Sequence, residues 1–226
     1  MPPPRRTPSA RSGARREELL AELTALFLRE GVAAFGLAAL AERLRCSKTT
    51  LYLVAGSKEQ IVVAAVRSFF AAAAERIETR VAAAGDPAER LRRYLDGVAA
   101  ELEPVSEAFY ADLTAFGPAA EVYEENTRHA ARRVRELVDE GVAAGALRPV
   151  HAAFVAAAVA QVMAAIQRGD VKAATGLDDA AAYRELTDLL LAALGRRPGR
   201  QSLGAPAVRR AGSPAAAPVA RRSGGR

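Results

Sequence analysis

The amino-acid sequence predicts an all-α fold, with an N-terminal three-helix helix-turn-helix domain followed by a larger helical domain. Strong helix formers dominate the 226 residues, alanine above all. β-branched residues never alternate with polar ones over any length, as a half-buried strand would require. Half of the residues are apolar, which is enough for the core of one or two domains. The helices are therefore placed in order from their apolar spacing and their end signals.

The first helix is expected to begin near Arg15, after a disordered basic arm at residues 1–14. Its apolar residues have the spacing of one helix face. They are Leu19, Leu20, Leu23, Leu26 and Phe27. Gly31 follows, and glycine commonly ends a helix. This helix should support the two helices that follow it.

A helix-turn-helix is indicated between residues 37 and 56. In its first half, apolar residues at positions 37, 40, 41 and 44 share one helical face. The connection Arg45-Cys46-Ser47 is short enough to turn the next helix across the first. Ser47 is a natural N-cap, because its hydroxyl can accept a hydrogen bond from the following turn. The second helix then opens at residue 48, with Leu51 directed into the core.

The polar residues of this second helix fit a DNA-reading role, because a recognition helix enters the major groove by its N-terminal residues. Lys48 can bind a phosphate or the acceptors of guanine. Thr49 and Thr50 offer hydroxyls and methyl groups, and the Tyr52 hydroxyl can reach a phosphate.

A further helix start lies just beyond. Ser57 and Gln60 have the spacing of a capping box after the break at Gly56. A helix N-terminus beside Lys58 can hold a second phosphate. Any small helical domain contains short helices joined by turns, so the pattern alone leaves a purely structural interpretation open.

Taken together, residues 15–62 resemble the N-terminal DNA-binding domain of TetR-family transcriptional regulators. The residues that carry the resemblance are Gly31, Leu37, Leu40, Ala41, Ser47, Lys48, Thr50, Leu51, Tyr52, Ser57, Lys58 and Glu59. It implies a transcriptional regulator whose partner is double-stranded DNA. The expected DNA-binding residues are Arg45, Ser47, Lys48, Thr49, Thr50, Tyr52 and Lys58.

Three positions depart from the usual pattern of the family. Arg45 stands where a small residue, often glycine, closes the turn, and it either adds a DNA contact or lies in solvent. Val54-Ala55 replaces an aromatic pair, and Phe35-Gly36 stands where threonine or serine would cap the second helix. The last two departures change packing and capping only.

The second domain is assigned to residues 57–195, followed by a disordered basic tail at residues 196–226. A long helix over about 57–84 leaves the first domain, and Asp86-Pro87 restarts the chain as N-cap and first helical residue. Pro104 opens a short helix that Gly117-Pro118 ends. Further helices are expected over about 119–144, 150–168 and 178–194.

In the family that the sequence resembles, the helices between the DNA-binding head and the last helix pair enclose a small apolar effector. A cavity lined by aromatic side chains with a few polar groups is what such a ligand requires. The candidate ligand-binding residues are Phe69, Phe70, Tyr94, Phe109, Phe116, Tyr123, Asn126 and Gln161. The alternative is that most of these aromatics are ordinary core residues. No cofactor is expected.

The resemblance also implies that the last two long helices pair with their copies in a homodimer. Their apolar faces are broad, and alanine allows close approach of the backbones. The candidate interface residues are Val155, Val159, Val162, Tyr183, Leu186, Leu190 and Leu194. The alternative is that both helices complete the core of a monomer.

Charge is distributed unevenly along the chain. Of the 32 lysines and arginines, 13 lie before Glu17 or after Gly195, where no acidic residue occurs. The segment between them has 19 basic and 26 acidic residues. Basic ends favour a polyanion as partner. The function expected is a repressor that binds a pseudo-palindromic operator and is released by ligand; the alternative is a nonspecific or architectural DNA-binding protein.

Little in the sequence indicates an enzyme, a metal site or a membrane protein. Glu121, Glu125 and His129 share a helix face, but this is more typical of a solvated surface than of a metal site. The apolar run at residues 152–166 is too short and too weakly hydrophobic to span a bilayer. The single cysteine, Cys46, fits a reducing compartment, so a cytoplasmic location is expected.

Overall fold

The computed structural model describes residues 8–195, with side chains described from residue 12. The expected disorder of the first seven residues and of the tail at residues 196–226 lies outside the described residues. Ten α-helices and no β-strand are present between residues 8 and 195, which confirms the all-α prediction. The helices are α1 (Pro8–Glu30), α2 (Leu37–Arg43), α3 (Lys48–Leu51), α4 (Lys58–Ala82), α5 (Pro87–Leu102), α6 (Glu107–Ala115), α7 (Gly117–Ala143), α8 (Ala152–Gln167), α9 (Asp170–Thr175) and α10 (Asp179–Leu194).

Serine and aspartate N-caps set the start of most of the later helices. In each case the side chain accepts a hydrogen bond from the backbone N–H three residues on, which otherwise has no partner. The residues concerned are Ser47, Ser57, Asp86, Ser106 and Asp178. Gly36 caps α2 without a side-chain bond, in agreement with the departure noted in the sequence.

Four boundaries differ from the sequence prediction. Helix α1 begins at Pro8, so part of the arm expected to be disordered is helical. Helix α6 begins after the Ser106 cap and not at Pro104. The Gly117-Pro118 pair opens α7, because proline is tolerated in a first helical turn. The short helix α9 was not predicted; it lies between Gly169 and Gly176, both with positive φ, and buries none of its residues.

The hydrophobic core of α1, α2 and α3 continues into the later helices without a break. Leu19, Phe27, Leu40 and Leu51 are fully buried in one cluster. The same cluster includes residues of α4, α6 and the start of α7, among them Phe109. A second cluster joins α4, α5, α7 and α8, and a third lies between α8 and α10. The division between residues 15–56 and 57–195 therefore remains a prediction about function, since packing crosses it.

Helix α6 is hydrogen-bonded to the end of α1. The backbone N–H of Ser106 donates to the Leu28 carbonyl at 2.8 Å. The Asp112 carboxylate accepts from the N–H groups of Val32 at 2.6 Å and Ala33 at 2.8 Å. Gly31 makes this approach possible: its φ is +79°, and a Cβ there would lie 2.6 Å from the Asp112 oxygen. Helix α6 of the predicted second domain is thus hydrogen-bonded to the predicted first domain.

The turn between α7 and α8 holds the C-terminal end of α10. The Arg148 N–H donates to the Leu194 carbonyl at 2.9 Å, and an isolated antiparallel bridge joins Leu147 to Gly195. Leu147 packs closely on Gly141, where a Cβ would lie 2.5 Å from the leucine side chain. None of the helices between residues 8 and 195 has both the length and the hydropathy needed to cross a membrane.

Candidate DNA-binding surface and internal cavity

The N-terminal end of α3 presents an exposed polar surface. The Ser47 hydroxyl accepts from the Thr50 N–H at 3.0 Å and lies 2.8 Å from the Thr50 hydroxyl. Lys48 and Thr49 are exposed, and so is Tyr52, by 46%. Leu51 is fully buried beneath them. Helix α3 therefore turns one apolar residue inward and its polar residues outward, as the sequence predicted.

Contacts from α1 and α2 fix the position of this surface. The Arg43 guanidinium pairs with Glu30 and lies over the Phe35 ring, 5.9 Å from its centroid. The Arg16 guanidinium donates to the Val54 carbonyl at 3.4 Å. The segment that follows α3 is thus bonded to the first helix as well as packed on it.

The start of α4 adds a second polar site next to α3. The Ser57 hydroxyl accepts from the Gln60 N–H at 3.2 Å. The Gln60 carboxamide oxygen accepts from the Gly56 N–H at 3.0 Å and not from the N–H of the Ser57 cap, so the reciprocal bond of the predicted capping box is made one residue earlier. Lys58, half-buried, lies at this helix start.

Arg45 closes the turn between α2 and α3 in a left-handed conformation, with φ at +48°. It is the only residue other than glycine with a positive φ among the described residues. Glycine is the residue best suited to this position, because it alone adopts this conformation without strain. The Arg45 side chain is exposed, as are Ser47, Lys48, Thr49 and Tyr52, and these polar residues are here called the reading surface.

A cavity of about 320 Å³, partly open to solvent, lies between α4, α5, α7 and α8. Five of the predicted ligand-binding residues line it, namely Phe69, Phe70, Tyr94, Tyr123 and Asn126. The rings form a connected group: Phe70 lies 5.1 Å from Phe69 and 6.2 Å from Tyr123 between centroids. Such a mainly apolar cavity with a few polar groups is typical of a small-molecule site.

Paired charges line the cavity, and those of Arg133, Glu78 and Glu136 lie near Tyr94. Arg133 donates to both oxygens of Glu78, at 2.8 Å and 3.1 Å, and also pairs with Glu136. Arg76 donates in the same way to Glu101, and this hydrogen bonding lowers the pKa of the Glu101 carboxyl. Burial raises the pKa of Tyr94 to about 12. The aromatic wall at this end is therefore uncharged and bordered by salt bridges.

The opposite end of the cavity is formed by neutral polar groups. The Tyr123 hydroxyl donates to the side-chain oxygen of Gln167. The hydroxyls of Tyr110 and Tyr183 are buried close by, and neither meets hydrogen-bond geometry with a described residue. Tyr183 nevertheless lies near enough to the Gln167 amide for that amide to lower its pKa, although burial raises the pKa more strongly. Burial likewise raises the pKa of Tyr110 and Tyr123.

Three of the predicted ligand-binding residues lie elsewhere. Phe109 packs in the core, with its ring centroid 6.5 Å from that of Phe69. Phe116 lines a separate cavity of about 250 Å³ together with Lys58 and Asp112. Gln161 is exposed on α8, whereas Gln167 lines the main cavity. Six residues at about 100° each place these two glutamines on different faces of one helix.

The predicted interface residues divide into buried and exposed ones. Val159, Tyr183, Leu186 and Leu194 pack inside the chain and present little surface to a partner. Val155 and Leu190 are half-buried, and Val162 is 39% exposed. The most exposed large apolar residues of the two helices are Phe154 on α8 at 72% and Leu189 on α10 at 68%, and neither is among the predicted interface residues.

The carboxylate and histidine group considered on α7 forms no metal site. His129 Nδ1 lies 3.1 Å from the backbone oxygen of Glu125, one turn earlier. Between residues 8 and 195 there is no group of three or more histidine, cysteine, aspartate or glutamate side chains arranged to hold a metal ion.

Known proteins share features of this sequence and this architecture. Residues 19–65 match the sequence model of a family described as bacterial regulatory proteins, tetR family. A putative transcriptional regulator from Saccharomonospora viridis, solved in complex with choline, is 17% identical, with a TM-score of 0.70 over 82% of this chain and 100% of that one.

Two further structures show the same fold. A TetR-family transcriptional regulator from Agrobacterium tumefaciens is 20% identical, with a TM-score of 0.63 over 82% of this chain and 100% of that one. A TetR/AcrR-family regulator from Thermobifida fusca is 25% identical, with a TM-score of 0.60 over 79% of this chain and 97% of that one. No curated protein matches the sequence of this chain.

Proposed function

We propose that this TetR-family transcriptional regulator is a repressor that binds a pseudo-palindromic operator as a homodimer and is released by a small, largely apolar effector. The observation that carries the DNA-binding part is the exposed polar end of α3, held on a buried Leu51. Lys48, Thr49 and Tyr52 face solvent there, as a helix that enters the major groove requires. Regulators of this family are generally DNA-binding proteins without enzymatic activity.

The homodimer is proposed from α8 and α10. The exposed large apolar side chains of α8 and α10, which are Phe154, Val162 and Leu189, are here called the α8–α10 face. Large apolar side chains at such a face are typical of a protein interface. A two-fold axis through it would place two α3 helices about 34 Å apart, one turn of DNA, and so account for a pseudo-palindromic operator.

The effector site is proposed at the cavity between α4, α5, α7 and α8. The Saccharomonospora relative was solved with choline, which supports a small organic molecule as effector for the shared fold. Phe69 and Phe70 of α4 line the cavity, and α4 begins at Lys58 beside the reading surface. A ligand that prefers the α4 position unsuited to DNA lowers DNA affinity by its differential affinity for the two states.

The second candidate function is nonspecific or architectural DNA binding through the basic ends of the chain. The absence of acidic residues before Glu17 and after Gly195 favours it. It predicts weak sequence preference and a steep dependence on salt. Either function acts on chromosomal DNA, so a cytoplasmic location is part of the proposal.

Selection of bound duplexes from a random DNA library, at near-physiological salt, tests the proposed function. Enrichment of an inverted repeat is the expected result, because nonspecific phosphate contacts weaken as salt rises. Recovery of no motif, with binding lost as salt increases, would favour the architectural function instead.

A double variant and its control test whether α3 recognises the selected motif. Replacing Lys48 and Tyr52 together by alanine should remove specific binding of the selected duplex, since both side chains are exposed at the reading surface. Lys172→Ala is the matched control, because Lys172 is an exposed lysine of α9 paired with Glu107. Unchanged specific binding in the double variant would show that α3 is not the recognition helix.

A further inference from the structure

We propose that the cavity of about 250 Å³ beside the start of α4 is a second small-molecule site, and that its ligand is a zwitterion with a small apolar side chain, of the free amino acid class. The site is separate from the proposed effector cavity, since the two have no lining residue in common. Binding at this site requires neither the effector nor the operator. Only its effect on DNA binding rests on the proposed function.

Three parts of the chain meet at this cavity, namely the loop after α1, the first two turns of α4 and the C-terminal half of α6. The loop and α6 are held together there, because one oxygen of the Asp112 carboxylate accepts from the N–H groups of Val32 and Ala33. Pockets for drug-sized molecules have volumes of roughly 300–1,000 Å³. A cavity of about 250 Å³ therefore suits a smaller molecule.

Groups of opposite charge, from different helices, line the cavity. Lys58 of α4 makes no salt bridge to a described residue. The pKa of Glu59 is lowered mainly by hydrogen bonds at the helix start, to the backbone and to Ser57, and least by the charge of Lys58. The second oxygen of the Asp112 carboxylate makes no hydrogen bond to a described residue. Both the ammonium of α4 and the carboxylate of α6 thus have capacity for a ligand.

A ligand with a single charge would satisfy only part of this lining. A ligand carboxylate that pairs with Lys58 shares the small cavity with the Asp112 carboxylate, and a ligand ammonium that pairs with Asp112 shares it with the Lys58 ammonium. Each arrangement places like charges close together, which is unfavourable. A zwitterion offers each group the opposite charge, so its carboxylate pairs with Lys58 and its ammonium with Asp112.

The cavity also has apolar surface for a ligand side chain. Val32 and Val62 are buried and Phe116 is half-buried, and all three line the cavity. Contact with them removes apolar surface of the ligand from water, which is favourable. An amino acid with a small aliphatic side chain therefore fits better than glycine.

Lys58 connects this site to DNA binding. It lies at the start of α4 and is one of the predicted DNA-binding residues. A lysine that is paired with a ligand carboxylate is not available to a DNA phosphate. Ligand and DNA should therefore compete, and each should lower the affinity for the other by the same factor.

Titration of the full-length, DNA-free protein, followed by amide NMR spectra, tests this inference because it gives both affinity and location. The probes are L-leucine, 4-methylpentanoate, which lacks the ammonium, 3-methylbutan-1-amine, which lacks the carboxylate, and glycine, which lacks the apolar side chain. L-Leucine should bind about 5-fold more tightly than either singly charged probe, the upper range for one solvent-accessible ion pair, and more tightly than glycine. The amide signals of Ala33 and Glu59 should shift, and those of Tyr123 and Gln167 in the effector cavity should not.

Conservative variants identify the two charged groups. Asp112→Asn keeps an oxygen that can accept from the loop N–H groups but removes the charge, so the preference for L-leucine over 4-methylpentanoate should disappear. In Lys58→Gln the preference for L-leucine over 3-methylbutan-1-amine should disappear. Asp139→Asn and Lys172→Gln remove the same charges outside both cavities, so as matched controls they should keep both preferences.

Several results would overturn the inference. These are no binding of L-leucine, equal binding of L-leucine and either singly charged probe, shifts confined to the effector cavity, or preferences that survive in Asp112→Asn and Lys58→Gln. If Asp112→Asn does not fold, Lys58→Gln decides alone, because Lys58 is only half-buried.

The effect on DNA is measured separately, as the affinity for the selected duplex with and without L-leucine. A lower affinity in its presence is expected, and an unchanged affinity would overturn the competition for Lys58. Failure to select any duplex would instead contradict the proposed function, and the amino acid site would stand.

Discussion

Arg45 adopts a backbone conformation that disfavours every residue with a side chain. Its φ of +48° lies in the left-handed region, which costs an L-residue roughly 1–2 kcal/mol. Its position in the turn between α2 and α3 explains why this cost is tolerated. The chain must reverse within the three residues between Leu44 and Lys48 so that α3 can cross α2.

Replacing Arg45 by glycine should therefore stabilise the protein. We expect the free energy of unfolding to rise by up to about 1 kcal/mol, because relief of strain exceeds the added entropy of the unfolded chain. Urea denaturation followed by circular dichroism measures this change. Replacement by alanine removes the guanidinium but keeps the strain, so it serves as the control. A fall in stability in the glycine variant would contradict the argument.

The same pair of variants separates the two interpretations of the Arg45 side chain. If the guanidinium contacts a phosphate, both variants should lower affinity for all duplexes and reduce the salt slope by about one unit. If it lies in solvent, affinity at near-physiological salt should remain within a factor of about two. Titrations of the selected duplex at several salt concentrations distinguish these outcomes.

The buried tyrosines predict a loss of stability at alkaline pH. Burial raises the pKa of Tyr94 from 10.0 to about 12, and the pKa values of Tyr110 and Tyr183 are also raised. The unfolded chain releases these protons near pH 10 while the folded protein retains them. The stabilisation is therefore complete below pH 10 and is lost as pH rises through the folded pKa values.

We expect tyrosinate absorbance of Tyr94, Tyr110 and Tyr183 to appear together with unfolding and not before it. Parallel titrations by ultraviolet absorbance and circular dichroism between pH 9 and 12 test this, these limits bracketing roughly the pKa range of free and buried tyrosine. In Tyr94→Phe the fall in stability above pH 10 should be smaller. Full ionisation of all tyrosines near pH 10 in a protein that is still folded would contradict the burial argument.

At this scale the sequence predicts caps better than contacts. Ser47, Ser57 and Asp86 cap helices as expected, because a cap depends on residues only three positions away. Gln161 and Gln167 show the opposite case. Helix α8 is nearly uniform in alanine and valine, so nothing in its own sequence says which face lines the cavity.

Helix α6 joins the end of α1 to aromatic residues that line the cavity. Its N-cap and its Asp112 carboxylate bind the end of α1, while its Phe109 and Tyr110 pack against aromatics of α4 and α7. The sequence indicated a short helix here but gave no sign of the link to the loop after α1. Residues that lie 80 positions apart, Val32 and Asp112, form that link.

Removing the Asp112 carboxylate should destabilise the protein. Asp112→Ala leaves the N–H groups of Val32 and Ala33 without their acceptor, and we expect a loss of about 1–3 kcal/mol. Chemical denaturation provides the measurement. The control is Asp139→Ala on α7, where the carboxylate contacts only the exposed Arg135 at 3.6 Å, and its effect should stay within about 0.5 kcal/mol. Equal effects of the two changes would contradict a specific role for Asp112.

Whole-molecule assembly depends on the α8–α10 face. A charge at Phe154 or Leu189 should prevent pairing without disturbing the fold, because these side chains are 72% and 68% exposed. We therefore expect Phe154→Arg and Leu189→Arg to be monomers by light scattering, and to bind the selected duplex much more weakly than the wild type. Leu190 is less suitable for this test, since it is half-buried in the core.

Leu53→Arg is the matched control for these variants. Leu53 is also an exposed leucine, by 42%, but it follows α3 and lies far from α8 and α10 along the chain. Its substitution should leave the dimer intact. A dimer that persists in both Phe154→Arg and Leu189→Arg would show that another surface forms the interface.

At the scale of the whole chain, the sequence predicts the fold class and nearly every long helix, because apolar periodicity and caps are local signals. It does not predict where helices meet. The cavity arises from four helices whose facing residues are set by packing. Tyr183 and Leu186, predicted at an interface, are buried because α8 and α10 pack on each other within the chain. Which residues of a helix face its neighbours depends on how all the helices pack together.

The unbroken core between α1 and α6 has a consequence for recombination between regulators. A chimera that joins residues 8–56 to the remaining helices of another protein with this fold would lose the partners of Leu28, Val32 and Ala33 and expose the apolar residues that face α6. A workable exchange would need the recipient α6 to be rebuilt with Ser106 and Asp112, or its equivalent transferred with the head. The part that can be inherited or engineered intact is thus residues 8–56 together with α6, two segments that are separate in the sequence.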